Sequence, residues 1–330
     1  MQIVYFERRP TQGGYSIERV FGAVRGALPR HWSTKVVQCP TPGHSLWWLL
    51  NGIVHAWAEK GEVNHIAGDV HYVALGLPRS RCILTVHDLN GLPHLKGLRR
   101  ALYRLLYFSI PLRRCAVITA ISETTRDRIA QEFPFTSDRI VVIADPVPQG
   151  YEPRPKFFNS DYPRILQVGT APRKNVGRLV QAIEGLPCKL HIIGPLSIEV
   201  QRLLESCRID YENSVNIGDA EMLQGYDRAD MVVFVSLEEG FGLPIIEAQA
   251  MGRPVIVSNL SPMREVAGAG ALMVDPYDVE AISSAIRLVV EDGSARQRMI
   301  EAGLVNVERF SAKAVAGQYA RLYRSVAKCK

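Results

Sequence analysis

The chain is predicted to be an α/β protein of two doubly wound, Rossmann-like lobes facing one another across a cleft. Three observations predict this. Short apolar runs alternate with longer amphipathic stretches from end to end, the pattern of βαβ units on a parallel sheet. The alternation breaks once, at Asp145–Asp161, where Asp-Pro-Val-Pro-Gln-Gly-Tyr-Glu-Pro-Arg-Pro-Lys gathers four prolines and a glycine that disfavour helix and central strand alike. The 330 residues, 47% hydrophobic and 22% charged, also suffice for two separate cores. The expected layout is an N-terminal lobe over 1–150, a linker over 151–163, a second lobe over 164–310, and a final helix over 311–330 that returns to the first lobe.

In the first lobe the expected strands are Gln2–Phe6, Lys35–Gln38, Glu62–Ile66, Cys82–Val86, Cys115–Ala120 and Ile140–Ile143, with helices between them. Ser16 and Ser122 sit where N-caps belong, each followed by a glutamate that complements the helix dipole. In the second lobe the strands are Arg164–Val168, Lys189–Ile193, Ser214–Ile217, Met231–Val235, Pro254–Val257 and Ala271–Val274. Helices are expected over Asn175–Gly185, Ile198–Ser206, Glu221–Ala229, Leu243–Met251 and Val279–Glu291, the last capped by Asp278. Two more, Ala295–Arg309 and Ala312–Ala327, close the chain, with Ser311 capping the second.

A formal charge of +6 points mildly to anionic partners. Nucleic acid is not among those expected, since no aromatic-basic RNA motif or helix-turn-helix pattern is present. The six cysteines are widely spaced and form no zinc-type cluster; Cys82 and Cys115 open apolar runs and read as buried thiols, which suits a reducing, cytoplasmic setting. The N-terminus reads as a first strand rather than a signal peptide. The most apolar window, His44–Ala58, falls short of the ~20 residues that span a bilayer. Asp69 is a lone acid, no paired-aspartate metal motif stands out, and neither a metal nor another cofactor is expected.

The sharpest chemical signal follows the strand Met231–Val235. Glu239-Gly-Phe-Gly-Leu-Pro-Ile-Ile-Glu247 turns the chain from strand to helix. Its glycines permit close backbone approach, and Pro244 suits a first helical turn, where a missing N–H costs nothing. The amides of Phe241, Gly242 and Leu243 would then form an anion site at a helix N-terminus. Glu239 in the loop and Glu247 on the helix add carboxylates for hydroxyl groups. A ligand bearing both hydroxyls and phosphates, a nucleotide sugar, fits this set. Two solvated glutamates at an ordinary turn are the bland alternative.

This string resembles the E-x7-E signature of glycosyltransferase family 4, retaining enzymes of GT-B architecture. Val168-Gly-Thr-Ala-Pro-Arg-Lys-Asn175 resembles the family's turn after the first strand of the donor lobe. Arg264–Gly268, Val274–Asp278, Thr85–Leu89 and Ile121–Glu123 resemble further landmarks. The resemblance implies that Glu239 contacts the donor sugar, Glu247 the ribose, and Arg173 and Lys174 the diphosphate. It also implies that Gly13 and Gly14 approach the donor phosphates, that His87 lies near the reacting sugar, and that backbone near Gly194 and Gly218 reads the base. Two departures stand out: Asp145-Pro146-Val147 replaces an asparagine-glycine turn, and Thr170 follows Gly169 where an arginine is usual.

Residues 94–114 interleave six basic residues with leucines and aromatics. On a helix, Lys96, Arg99, Arg100 and Arg104 gather on one side and Leu98, Leu102, Leu105 and Leu106 on another. That composition suits an interfacial helix on anionic lipid, hence a peripheral place on the inner membrane face, and equally a core helix with a solvated basic face. The expected reaction is retaining, metal-independent transfer of a sugar from a UDP-, GDP-, ADP- or TDP-sugar to the hydroxyl of a saccharide or lipid-linked saccharide, in polysaccharide or glycolipid synthesis. The alternatives are an epimerase or phosphorylase on the same fold, or a non-catalytic membrane-associated relative.

Overall fold

The structure, a computed structural model, describes residues 1–9, 16–39, 46–89, 92 and 96–328, with only the backbone at 16 and 46–48. Gly13, Gly14 and His94 lie outside the described residues. The chain divides into two compact units, Met1–Pro146 with Ala312–Lys330, and Val147–Ser311.

The first unit is built on a parallel six-stranded sheet ordered β2-β1-β3-β4-β5-β6. Its strands are β1 (Gln2–Arg8), β2 (Ser33–Cys39), β3 (Val63–Ile66), β4 (Cys82–Val86), β5 (Val117–Ala120) and β6 (Ile140–Val142). Every strand pairing is parallel. Strands β3 and β4 are buried along their whole length, which explains apolar runs without alternation.

One sheet face carries Val4, Phe6, Ile66, Leu84, Val86 and Ile118 into a core shared with α2 (Leu46–Glu59). The 3₁₀ segment His71–Gly76 and the run of α3 (Gly97–Tyr103), a π-helical turn (Arg104–Ser109) and α4 (Ile110–Arg113) cover the same face. The inward side chains of that run are Tyr103, Tyr107, Phe108 and Leu112. The leucines 98, 102, 105 and 106 stay exposed at 84, 54, 45 and 50%. Arg100 and Arg104 do not form an open basic stripe, because both engage the Glu132 carboxylate at the end of α5 (Glu123–Glu132). Ser122 caps α5, accepting from the Thr125 amide.

The opposite face holds α1 (Ser16–Ala27) and the C-terminal α13 (Ala312–Lys328). A buried polar chain crosses it: the Tyr5 and Tyr323 hydroxyls are 2.9 Å apart, Tyr323 meets His65 Nδ1 at 2.8 Å, and His65 Nε2 meets Thr85 Oγ1 at 2.7 Å. Thr85 in turn meets Thr119 at 2.6 Å. This network fastens the last helix to four strands of the first sheet, β1, β3, β4 and β5. Cys82 and Cys115 are buried free thiols with sulfurs 3.5 Å apart.

The second unit has a parallel sheet ordered β12-β11-β10-β7-β8-β9. The strands are β7 (Arg164–Val168), β8 (Lys189–Ile193), β9 (Asp210–Ser214), β10 (Met231–Phe234), β11 (Val255–Ser258) and β12 (Leu272–Val274). Its helices are α6 (Val176–Ala182), α7 (Ile198–Ser206), α8 (Asp219–Arg228), α9 (Leu243–Ala250), α10 (Met263–Ala267), α11 (Val279–Glu291) and α12 (Gly293–Val307). Residues 151–163, expected as linker, carry no helix or strand and run along this unit, where Lys156 Nζ bonds Asp230 Oδ1 at 2.5 Å.

Strand β9 ends where Ser214–Ile217 was expected to begin. It is a polar edge strand, Asp-Tyr-Glu-Asn-Ser, held by backbone pairing with β8 and by Arg164–Glu212 and Lys189–Asp210 ion pairs, so hydropathy misplaced it. Helix α12 starts two residues before Ala295 because Asp292 caps it through the Ala295 amide.

Candidate active site

In the second sheet the strand order reverses between β7 and β10, and ligands of such sheets bind beyond the carboxyl ends at that switch point. Two loops leave there. The loop after β7 carries Gly169 to Asn175; the loop after β10 carries Ser236 to Gly242. They are joined by the Leu237 amide, which donates to the Arg173 carbonyl at 2.7 Å. Their side chains meet in an ion pair, Lys174 Nζ to Glu239 Oε1 at 2.6 Å, with side-chain exposures of 12 and 9%. Lys174 also lies over the Phe234 ring, 4.5 Å from its centroid. Burial holds the Lys174 ammonium below its ordinary pKa, and Glu239 pulls it back up.

Gly169 explains how Lys174 gets there. Its φ of +87° is in the left-handed region, and a Cβ would stand 2.8 Å from Lys174 Cε, so the lysine stem lies where any larger residue would block it. Asn175, also left-handed at φ 59°, stitches the switch point together: its Nδ2 donates to the carbonyls of Val235 at 3.0 Å and Pro276 at 2.7 Å. Arg173, in contrast to Lys174, is exposed.

Gly242, at φ +105°, is the N-cap of α9, with Pro244 in its first turn. Phe241 is buried edge-on against Phe310, ring centroids 5.6 Å apart, so it can serve a ligand only through its backbone. Leu243 begins the helix. Glu247, one turn in, is buried rather than solvated, and its Oε2 accepts a 2.6 Å bond from the Tyr226 hydroxyl of α8. Tyr226 is the residue the sequence reading missed; nothing in the spacing links it to Glu247 across 21 positions.

The two glycines expected near the base have their amides engaged. Gly194 donates to the Ser214 carbonyl at 2.8 Å, and Gly218 donates to the Glu221 carboxylate at 2.9 Å in a capping box that opens α8. His87, in the first unit, follows β4 and bonds the Ala67 carbonyl through Nε2 at 3.0 Å, with Phe21 edge-on at 6.0 Å. Asp145 of the same unit is buried, and burial pushes its carboxyl pKa up to about 6 against the opposing effect of His87. Thr170, standing where an arginine is usual, is tied to the Pro195 carbonyl at 2.6 Å. Among the described residues no group of three or more His, Cys, Asp or Glu side chains could hold a metal ion.

Residues 151–304 match the family model of glycosyl transferases group 1, and residues 17–149 that of glycosyltransferase family 4. The O-antigen chain mannosyltransferase B of Escherichia coli is 30% identical over 292 residues, covering 80% of this chain and 75% of that protein. The O-antigen chain mannosyltransferase RfbU of Salmonella typhimurium is 27% identical over 214 residues, 62% of this chain and 59% of its own. Anabaena HepE, solved with UDP and glucose, superposes with a TM-score of 0.80 at 14% identity, covering 98% of this chain and all of HepE. Sucrose-phosphate synthase from Thermosynechococcus elongatus gives 0.76 at 18%, covering 98% of each.

Fold and site together define a glycosyltransferase of GT-B architecture, an enzyme of hexosyl transfer. The chain belongs to glycosyltransferase family 4. Epimerase, phosphorylase and non-catalytic readings give way to that membership.

Proposed function

We propose that the enzyme transfers a sugar, with retained anomeric configuration and without a metal, from a nucleoside diphosphate to a saccharide or lipid-linked saccharide in polysaccharide synthesis. The observation that carries this is the buried Lys174–Glu239 pair at the switch point, beside the N-terminus of α9. A lysine already desolvated there, with Arg173 next to it, supplies positive charge where a diphosphate departs. Glu239 serves the sugar hydroxyls. Glu247, which the Tyr226 hydroxyl holds in place, is assigned to the ribose hydroxyls. His87 is assigned to the acceptor side.

In the reaction the bond from the anomeric carbon to the diphosphate breaks as the acceptor oxygen bonds to that carbon from the same face. The acceptor proton passes to the departing phosphate oxygen. The mannosyl-transferring relatives favour mannose as the sugar, and the buried free thiols Cys82 and Cys115 support a reducing, cytoplasmic setting. The exposed leucines of α3 and the π-helical turn, beside the bases of 94–114, support a peripheral position on an anionic membrane.

A thermal-shift panel of UDP, GDP, ADP and TDP, each with and without EDTA, tests the reading. One nucleotide is expected to stabilise the fold by about 2.7 kcal/mol at a hundredfold excess over its Kd, EDTA notwithstanding. No response to any of the four would refute nucleotide-sugar binding; a response abolished by EDTA and restored by Mn²⁺ would refute the metal-free mechanism.

A further inference from the structure

Helix α2 presents a second apolar stripe on the same side of the first unit as α3. Its inner residues Leu49, Ile53 and Ala56 reach the core that also takes Tyr107, Phe108 and Leu112. Its outer residues Leu50, Val54 and Trp57, spaced i, i+4, i+7, are exposed at 61, 61 and 60%. Leu98, Leu102 and Leu105 repeat that spacing on the neighbouring run, and the 3₁₀ segment between the two bears exposed Leu75. A groove of about 440 Å³ lies along α2, lined by Ile53, Val54, Trp57, Leu75 and Pro78 together with Arg114.

Both stripes turn outward from the layer covering one sheet face, in which the 3₁₀ segment His71–Gly76 packs against α2 on one side and the π-helical turn on the other. Isolated exposed leucines need no explanation, but two registered stripes in one layer exceed what a monomer ordinarily leaves to water. Charge identifies the occupant. Segments 46–60, 71–81 and 96–114 carry nine Lys and Arg and one acid, Glu59, while the rest of the chain holds 30 of its 39 basic and 32 of its 33 acidic residues. Arg100 and Arg104 are engaged by Glu132, which leaves seven cations to the face. Glu59 is itself paired with Lys35. The Lys60 ammonium sits 3.8 Å from the centre of the exposed Trp57 ring, an aromatic and a cation presented together as at a bilayer interface.

We infer that the membrane-facing surface is this two-stripe layer, with Val54 and Trp57 of α2 entering anionic phospholipid alongside the leucines of α3. The inference rests on the membrane reading above and adds a second helix to it. A face of this width fixes the angle at which the unit lies on the bilayer, which one helix cannot do.

The test is flotation with phosphatidylglycerol-containing and pure phosphatidylcholine vesicles, using the full chain. Wild type is expected to float with the anionic vesicles only. Val54→Ser/Trp57→Ser is expected to lower its partition at least roughly tenfold, as is Leu98→Ser/Leu102→Ser, because each buried side chain of this size is worth a factor of ten or more. All these positions are exposed, and unchanged melting confirms folding. Wild-type flotation that the α2 variant leaves intact overturns the inference and spares the membrane reading. A wild type that does not float overturns both. Sedimentation as a dimer that the α2 variant dissociates, without vesicle binding, makes the face a contact between copies and also overturns it.

Discussion

Substituting Lys174 by methionine separates what the buried ion pair does for the fold from what it does for the reaction. The methionine keeps the stem that passes over Gly169 and removes the ammonium. Glu239, 9% exposed, is then left without the cation 2.6 Å from its carboxylate. Breaking a buried pair from one side costs about 3–5 kcal/mol, chiefly through the charge left behind. Against a domain stability of about 5–15 kcal/mol the variant stays folded at low temperature, with a sharply lower urea midpoint. Glu239→Gln is expected to destabilise as well, by stranding Lys174. The double variant removes both charges, so its loss should fall short of the two single losses added together by about 1–3 kcal/mol. Sugar transfer should be absent in all three variants at a temperature where each is folded. Urea unfolding of the four proteins and a transfer assay under folded conditions provide the readings. Losses additive within about 0.5 kcal/mol would refute the pairing, and transfer surviving in the re-stabilised double variant would refute its catalytic role.

Two further predictions address neighbouring groups. Tyr226→Phe deletes the 2.6 Å bond to Glu247 and should raise the KM for the donor about tenfold while leaving kcat within about twofold, as loss of a hydrogen bond to a charged group predicts; an equal loss against a 2′-deoxyribose donor would show that Glu247 does not read the ribose. Burial lowers the pKa of His65 to about 3 and of His71 to about 4, so the unfolded chain takes up protons first and stability falls as pH drops below about 6.5. At pH 5 each histidine costs about 2 kcal/mol, of which Asp145, with its raised pKa of about 6, returns about 1 kcal/mol. Urea midpoints at pH 7.5 and pH 5 check this, and equal values would contradict the buried neutral histidines.

The sequence made strands and loops legible to different depths. Strands buried on both faces, such as β4 and β10, announce themselves as continuous apolar runs, and all twelve fall at or near their expected places except β9. Strand β9 fails because an edge strand owes its existence to a neighbour's backbone, and Asp210–Ser214 has no hydropathy to show. The Glu239 loop was readable for the opposite reason: glycine, proline and carboxylate each have a local job in turning a strand into a helix. Contacts that cross the unit were not readable. Tyr226 finds Glu247, and Asn175 finds Val235 and Pro276, only after the sheet has been assembled.

The same distinction explains the apolar layer of the first unit. Hydropathy registers how apolar a helix is, not which side faces the core. In α2, Leu49 and Leu50 are indistinguishable by composition, yet one packs against the core and the other is 61% exposed. In 97–113 a π-helical turn inserts between α3 and α4, shifting the phase so that Tyr107 and Phe108 turn inward while Leu105 and Leu106 stay outside. A regular helical wheel drawn through that run puts Leu98, Leu102, Leu105 and Leu106 on one side but does not say whether that side meets protein or water. The assembled sheet answers the question: its core is filled by Tyr103, Tyr107, Phe108 and Leu112, and Leu98, Leu102, Leu105 and Leu106 are left at the surface.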